Sequence, residues 1–347
     1  MNKKKLFRIV IPVSVFVVVV TVTFSLLGAL IFNRFSRGIV PTEADVQALR
    51  DAGGAYEHVV IIGVDGAGGY FGEMDTPGFD SFFNGEVLDA SVTYTAMSQF
   101  PTDSAPNWGS MIHGVTLIKH GLQNGVASSE KYTDTKYPSI FKVYAERHPG
   151  AYMSSIVDWS VINTGIIEDD IPGMEKVNAG DLVPQSELAG LSGLESEMKV
   201  DAAVADAAIE RIKTSDPKIL FLHFDCVDSA GHGYGTGKPE YIDAMSYVDG
   251  LIARIYDACE EAGWLENTLF ICAADHGHLY SGGHGTNSAV VRKVTVAVAG
   301  ARGNVVSGTP GYVVTQDVAA ITFYALGEVQ HENWDCSVPK NMFKDIR

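Results

Sequence analysis

A chain of 347 residues suits one large domain or two modest ones, and 46% hydrophobic and 19% charged residues without a low-complexity tract exclude a disordered, collagen-like or coiled-coil protein. The net charge of −17 is uneven: residues 1–37 hold six Lys/Arg and no acid, leaving 19 basic and 42 acidic groups, net −23, in residues 38–347. A body of that sign repels a phosphate backbone, which argues against binding to a nucleic-acid duplex, while its carboxylates suit bound cations.

In chain order, the first element is Ile9 to Phe32, 24 residues without a charge. At about 1.5 Å per residue such a helix exceeds a hydrocarbon core of ~30 Å. Lys3, Lys4, Lys5 and Arg8 precede it and only Arg34 and Arg37 follow closely, so the positive-inside bias places the amino terminus in the cytoplasm. The sequence thus predicts a cytoplasmic tail (1–8), a single-pass anchor in the cell membrane (9–32), a short stalk (33–56) and an extracytoplasmic body (57–347). A cleavable signal peptide is the alternative. In the stalk, Thr42 is a candidate cap for one helical stretch that Gly53-Gly54 ends.

From His58 onward, apolar strand-like runs alternate with helical patterns. VVIIGV at 59–64 is followed by a helix near 105–113, the runs SIFKVYAERH at 139–148 and AYMSSIV at 151–157, and a helix across 198–214. KILFLHF at 218–224, a long helix across 239–263, TLFICAA at 268–274 and VTVAVAG at 294–300 complete the series. Continuous apolar strands separated by helices predict an α/β fold, a mostly parallel central sheet covered on both faces. Cys226 and Cys272 fall in apolar runs as expected buried thiols; Cys259 and Cys336 leave a bridge open.

Ligands of such sheets collect beyond the carboxyl ends of the strands. Here those ends are alike. VVIIGV ends in Asp65-Gly66, KILFLHF leads into Asp225 and then Asp228-Ser229-Ala230-Gly231-His232, and TLFICAA ends in Asp275-His276-Gly277-His278, with Gly283-His284-Gly285 close behind. One Asp-Gly or His-Gly pair reads as a turn, but several at successive strand ends point to a shared metal site. Carboxylates with neutral imidazoles suit zinc, and glycines permit the tight turns that aim them. A nucleophile is available at Ser104, just before the helical run APNWGSMIHG, where the amides of a helix start form an anion site. Taken alone, Ser104 reads rather as a helix cap.

Together these residues resemble the alkaline phosphatase superfamily, and within it the nucleotide pyrophosphatase/phosphodiesterase branch. Asp65, Ser104-Ala105-Pro106-Asn107, Gly114, His120-Gly121, Asp228 to His232, Asp275-His276-Gly277 and His284 follow that branch in order and residue type over roughly residues 57–326. The resemblance implies two divalent ions, zinc by preference. One would be held by Asp228, His232 and His284, the other by Asp65, Asp275 and His276, with Ser104 between them and Asn107 donating to a phosphoryl oxygen. It implies hydrolysis of a phosphodiester or pyrophosphate bond through a phosphoserine, on a nucleotide-type or other phosphodiester substrate.

Two departures stand out: Ser104 replaces the usual Thr, and Trp108 the His that often follows the Asn. Trp108 also stands where sulfatases carry Arg, which disfavours that branch. A phosphomonoesterase or a phospho-group transferase of the same superfamily stays open, as does a membrane-tethered binding protein with an idle site. Asp225 and His278 read as support for the ligands, and Asp249 and His113 as surface or core. Oligomeric state and natural substrate are open.

Overall fold

The computed structural model describes residues 38–344. The expected anchor at 9–32 lies outside the described residues, and among those described no helix is long and apolar enough to cross a membrane. The strands are β1 (His58–Val64), β2 (Asp89–Met97), β3 (Met153–Val157), β4 (Met174–Asn178), β5 (Ile219–Phe224), β6 (Thr268–Ala273) and β7 (Lys293–Gly300). They form one sheet in the order β2-β7-β6-β1-β5-β3-β4. β1, flanked by β6 and β5, lies at its centre; these three strands, whose ends carry the Asp/His motifs, are buried at every residue. That double-sided burial is why they read as unbroken apolar runs rather than alternating ones.

The helices longer than one turn are α1 (Glu43–Asp51), α2 (Pro77–Phe83), α3 (Ser104–His113), α4 (Ile140–Arg147), α5 (Gly193–Thr214), α6 (Cys226–Gly233), α7 (Pro239–Glu261) and α8 (Asp317–Ala325). They cover both faces. Phe82 of α2 packs on Phe270 of β6 and Tyr256 of α7, with ring centroids 4.6 and 4.9 Å apart. Trp108 of α3 packs edge-on to Phe221 of β5 at 5.8 Å. In the sheet register Phe270 lies beside Val60 and Phe221 beside Ile61, consecutive residues of β1 that face opposite ways.

Five strands, β6-β1-β5-β3-β4, are parallel, as the alternating pattern predicts. β7 runs antiparallel to both β6 and β2. The segment between β6 and β7 contains only one turn of helix, at Ala289–Arg292, so no helical crossover carries the chain back to start a parallel strand. β2 and β4 form the sheet edges and are the strands that the sequence pattern does not single out; β4 is half-buried at every position.

Residues 38–56 are not a stalk but part of the folded body. Thr42 caps α1 in a reciprocal capping box with Asp45, as its position predicts. The helix then buries Val46 and Leu49, Ile39 and Val338 exchange backbone hydrogen bonds of 2.8 Å, and the amide of Tyr56 donates to Ala325 O. Two buried aliphatic anchors, Val46 and Leu49, and a backbone pairing with the C-terminal segment outweigh the short, polar look of this stretch. All four cysteines are buried, and no disulfide joins Cys259 to Cys336. A fragment starting at His58 is therefore expected to be less stable than one starting at Gly38 by roughly 3 kcal/mol or more, the loss of two buried aliphatic side chains. Equal urea midpoints for the two fragments would contradict this packing.

Candidate metal centre

The chain leaves β1 at Asp65 and turns at Gly66, whose φ of +68° and close approach to Asp228 (an added Cβ would lie 2.8 Å from its Cα) both exclude a side chain. β5 leads through Asp225 into α6, which carries Asp228 and His232 one turn apart. β6 ends at Asp275, His276 and His278, and the following loop returns His284 to the same place. Residues spread over more than two hundred positions thus share one site.

Asp65, Asp275 and His276 form one group. His276 Nε2 stands 3.4 Å from Asp65 Oδ1 and 3.3 Å from Asp275 Oδ2. Those two carboxylate oxygens are buried without a hydrogen-bond partner, whereas their sister oxygens are occupied. Asp65 Oδ2 accepts from Trp108 Nε1 (2.8 Å) and lies 3.0 Å from His223 Nε2; Asp275 Oδ1 accepts from the amides of Gly66 and His276. His276 Nδ1 lies 3.3 Å from Gly277 O, which holds the Nδ1–H tautomer and leaves the Nε2 lone pair facing the carboxylates. Burial lowers the His276 pKa to about 4, so the ring stays neutral over the physiological range. Three donors about 2.0–2.1 Å from a common tetrahedral centre stand roughly 3.3–3.4 Å apart. The orphaned oxygens and these spacings fit a divalent cation of the zinc type.

Asp228, His232, His284 and His278 form the second group. His232 Nε2 is 3.3 Å from Asp228 Oδ2 and 2.9 Å from His284 Nε2. His284 is oriented through Nδ1, 2.8 Å from Thr102 O and 3.3 Å from Asp103 Oδ1. Burial pushes the Asp228 carboxyl up, but His232, His278 and His276 reverse that and hold it well below its ordinary range. Two imidazole nitrogens facing each other beside one carboxylate again suit a shared cation. The structure thus brings Asp65, Asp228, His232, Asp275, His276 and His284 together in the two groups that the resemblance implies.

Ser104 opens α3 between them. Its Oγ is 3.4 Å from His276 Nε2, and it lines a cleft of about 200 Å³ with Asn124, Trp159, Asp225, Asp228, His232 and His284. Asn107 does not reach this cleft. It is wholly buried, its Oδ1 accepting from Gln99 N (2.6 Å) and Thr315 Oγ1 (3.4 Å) and its amide donating to Asp103 O (2.9 Å), so it fixes the loop ahead of Ser104 instead of facing a ligand. The carboxamide on the cleft wall is that of Asn124, whose Oδ1 accepts from Ala105 N at 2.9 Å.

Residues 59–281 match the family model for type I phosphodiesterase / nucleotide pyrophosphatase. The chain belongs to this family. Among curated relatives, GPI ethanolamine phosphate transferase 2 of Aspergillus fumigatus is 23% identical over 235 residues, 67% of this chain and 28% of that protein. GPI ethanolamine phosphate transferase 1 of Saccharomyces cerevisiae is 37% identical over 70 residues, 20% of this chain and 8% of that protein. The chain therefore spans well under half the length of these relatives. Among solved structures, murine ectonucleotide pyrophosphatase/phosphodiesterase 5 in complex with AMP superposes with a TM-score of 0.59 at 15% identity, covering 80% of this chain and 96% of that one. Lipoteichoic acid synthase LtaP from Listeria monocytogenes gives 0.60 at 12% identity, covering 89% and 80%. At such identities the likeness is one of fold.

Within this phosphodiesterase family fold, Trp108 acquires a role that its position in the sequence does not announce: packed on β1 at Gly63, it donates to Asp65 Oδ2. Two residues set aside on sequence grounds are core, His113 between Tyr137 O and Ile166 O and Asp249 accepting the amides of Gly78 and Phe79 at the start of α2. Beside the cleft, Asp158, Glu197 and Asp225 converge over buried Asp201, which accepts the amides of Asp225 and Cys226. Burial first, then Asp201 and Asp225, push the Asp158 carboxyl up to about 12. Its folded-state pKa therefore exceeds its unfolded one, and the folded protein holds a proton that the unfolded chain releases above about pH 4, so stability falls as pH rises. Asp158→Asn removes this penalty. In chelator-treated protein the variant is expected to melt roughly 2–4 °C above the parent at pH 8 and by less at pH 5; a gain independent of pH would refute the assignment.

Proposed function

We propose that the chain is a metal-dependent phosphodiesterase of the nucleotide pyrophosphatase/phosphodiesterase type, with Ser104 as nucleophile. The observation that carries this reading is the placement of the Ser104 hydroxyl between two donor groups, one of which buries two carboxylate oxygens with no other partner. Asp65, Asp275 and His276 would hold one divalent ion and Asp228, His232 and His284 the other, with zinc favoured by the mixed oxygen and nitrogen donors. When bound, such a pair supplies Lewis-acid charge that activates the serine hydroxyl and stabilises the incoming and leaving oxygens.

Ser104 Oγ attacks phosphorus and gives up its proton to solvent, the phosphorus–oxygen bond to the alcohol or nucleoside breaks as the departing oxygen takes a proton from solvent, and a phosphoserine ester remains. Asn124, held by Ala105 N at its carbonyl end, has its amide hydrogens free to donate to a non-bridging phosphoryl oxygen. Water then displaces Ser104 from the opposite side, giving net retention at phosphorus; an alcohol in place of water makes the same site a transferase. The names of the ethanolamine phosphate transferase relatives favour keeping that second acceptor in view. The uncharged run at 9–32 supports a body tethered outside the cytoplasm.

Ser104→Ala is expected to abolish turnover of bis-p-nitrophenyl phosphate, a drop of at least about 10³-fold, with bound metal unchanged by elemental analysis. Retained turnover in that variant would remove Ser104 from the mechanism. Chelation is expected to silence the parent and added zinc to restore it. Faster turnover of bis- than of mono-p-nitrophenyl phosphate would separate a diesterase from a monoesterase, and the reverse ratio would overturn the diesterase reading.

A further inference from the structure

We infer that His278 is a positioning residue whose hydrogen bond to Asp228 Oδ1 reserves Asp228 Oδ2 for the cation that His232 and His284 would share. The inference rests on the metal-dependent reading above. His278 is wholly buried, and its Nε2 lies 2.7 Å from Asp228 Oδ1. That separation is the length of a charge-assisted hydrogen bond, and it engages the carboxylate oxygen opposite the one that His232 Nε2 faces at 3.3 Å. His278 Nδ1 is buried without a partner, so the ring's proton belongs on Nε2, facing the carboxylate.

Space for this contact is made by the other motif. A Cβ on Gly231 of α6 would lie 2.4 Å from His278 Cδ2 and 2.5 Å from its Nε2, so the glycine within Asp228-Ser229-Ala230-Gly231-His232 is the slot into which His278 fits. The segments after β5 and β6 are thereby locked in register. The lock has a chemical consequence. Asp228 Oδ1 is also 3.9 Å from both His276 Nε2 and His284 Nε2, between the two donor groups. Free of His278, this oxygen would be at liberty to swing toward either group; bound to it, Asp228 serves one cation through one oxygen.

The test is a zinc titration of the purified full chain against a competing chelator. The parent is expected to take up two equivalents. His278→Met, which fills the slot without donating, should weaken one equivalent roughly 10–100-fold and leave the other alone. His278→Gln, which keeps a donor, should recover most of that loss and leave the cobalt-substituted absorption bands of the parent unchanged. Gly231→Ala, which displaces His278 without removing it, should reproduce the selective weakening, and melting of the metal-free variants controls for folding. Two equivalents of parental affinity in both His278→Met and Gly231→Ala would overturn the inference while leaving the proposed function intact. An altered cobalt spectrum in His278→Gln would overturn it too, by making the ring a ligand. A parent that takes up no cation would sink the proposed function and the inference with it.

Discussion

Three carboxyl groups buried within one small site repel one another, and the rest of the architecture answers that repulsion. Asp65, Asp228 and Asp275 are each almost wholly buried, and Asp225 stands beside them. Burial and then the Asp65 charge drive the Asp275 carboxyl well above its ordinary range, and burial, Asp65 and Asp228 do the same to Asp225. The buried His276 ring, its pKa lowered to about 4, brings no positive charge to cancel that field. A site of this kind would hold its acids ionised at lower cost with cations supplying the missing charge.

The scaffold brings the acids together by simple means. Three parallel strands at the sheet centre end side by side, and each is buried on both faces, so their carboxyl ends cannot drift apart without exposing the core. Side chains from outside the ligand set then fix individual atoms. Trp108 and His223 hold one oxygen of Asp65 and turn the other inward; Thr102 O and Gly277 O set the faces that His284 and His276 present. These supports come from the sheet interior and from loop carbonyls, so the donor atoms are aimed before any cation arrives.

The candidate donor residues stood out because Asp and His recur with glycines at, or a few residues beyond, the ends of successive apolar runs; any one such pair reads as a turn. Their division into two groups was not legible locally and came only with the family resemblance. Side-chain direction was less accessible still. Asn107 and Asn124 both sit near helix starts, and nothing local says that the first turns into the core to bind Gln99 and Asp103 while the second stays on the cleft wall. Trp108 looked like a mere departure from pattern because its partner, Asp65, is forty-three residues away in sequence. The capping box of α1 could be read from Thr42, but the burial of Val46 and Leu49 depends on contacts with distant segments, which is why a docked helix passed for a stalk.

The pairing of Ile39 with Val338 puts the first and last parts of the folded body shoulder to shoulder. The protein is in this sense topologically a closed ring with a nick. A few glycines and serines joining the two ends, with a new opening in an exposed surface loop such as 129–136, would yield a rearranged chain in which the same cleft survives. The order in which the strands are synthesised would change, but not the place where their ends meet.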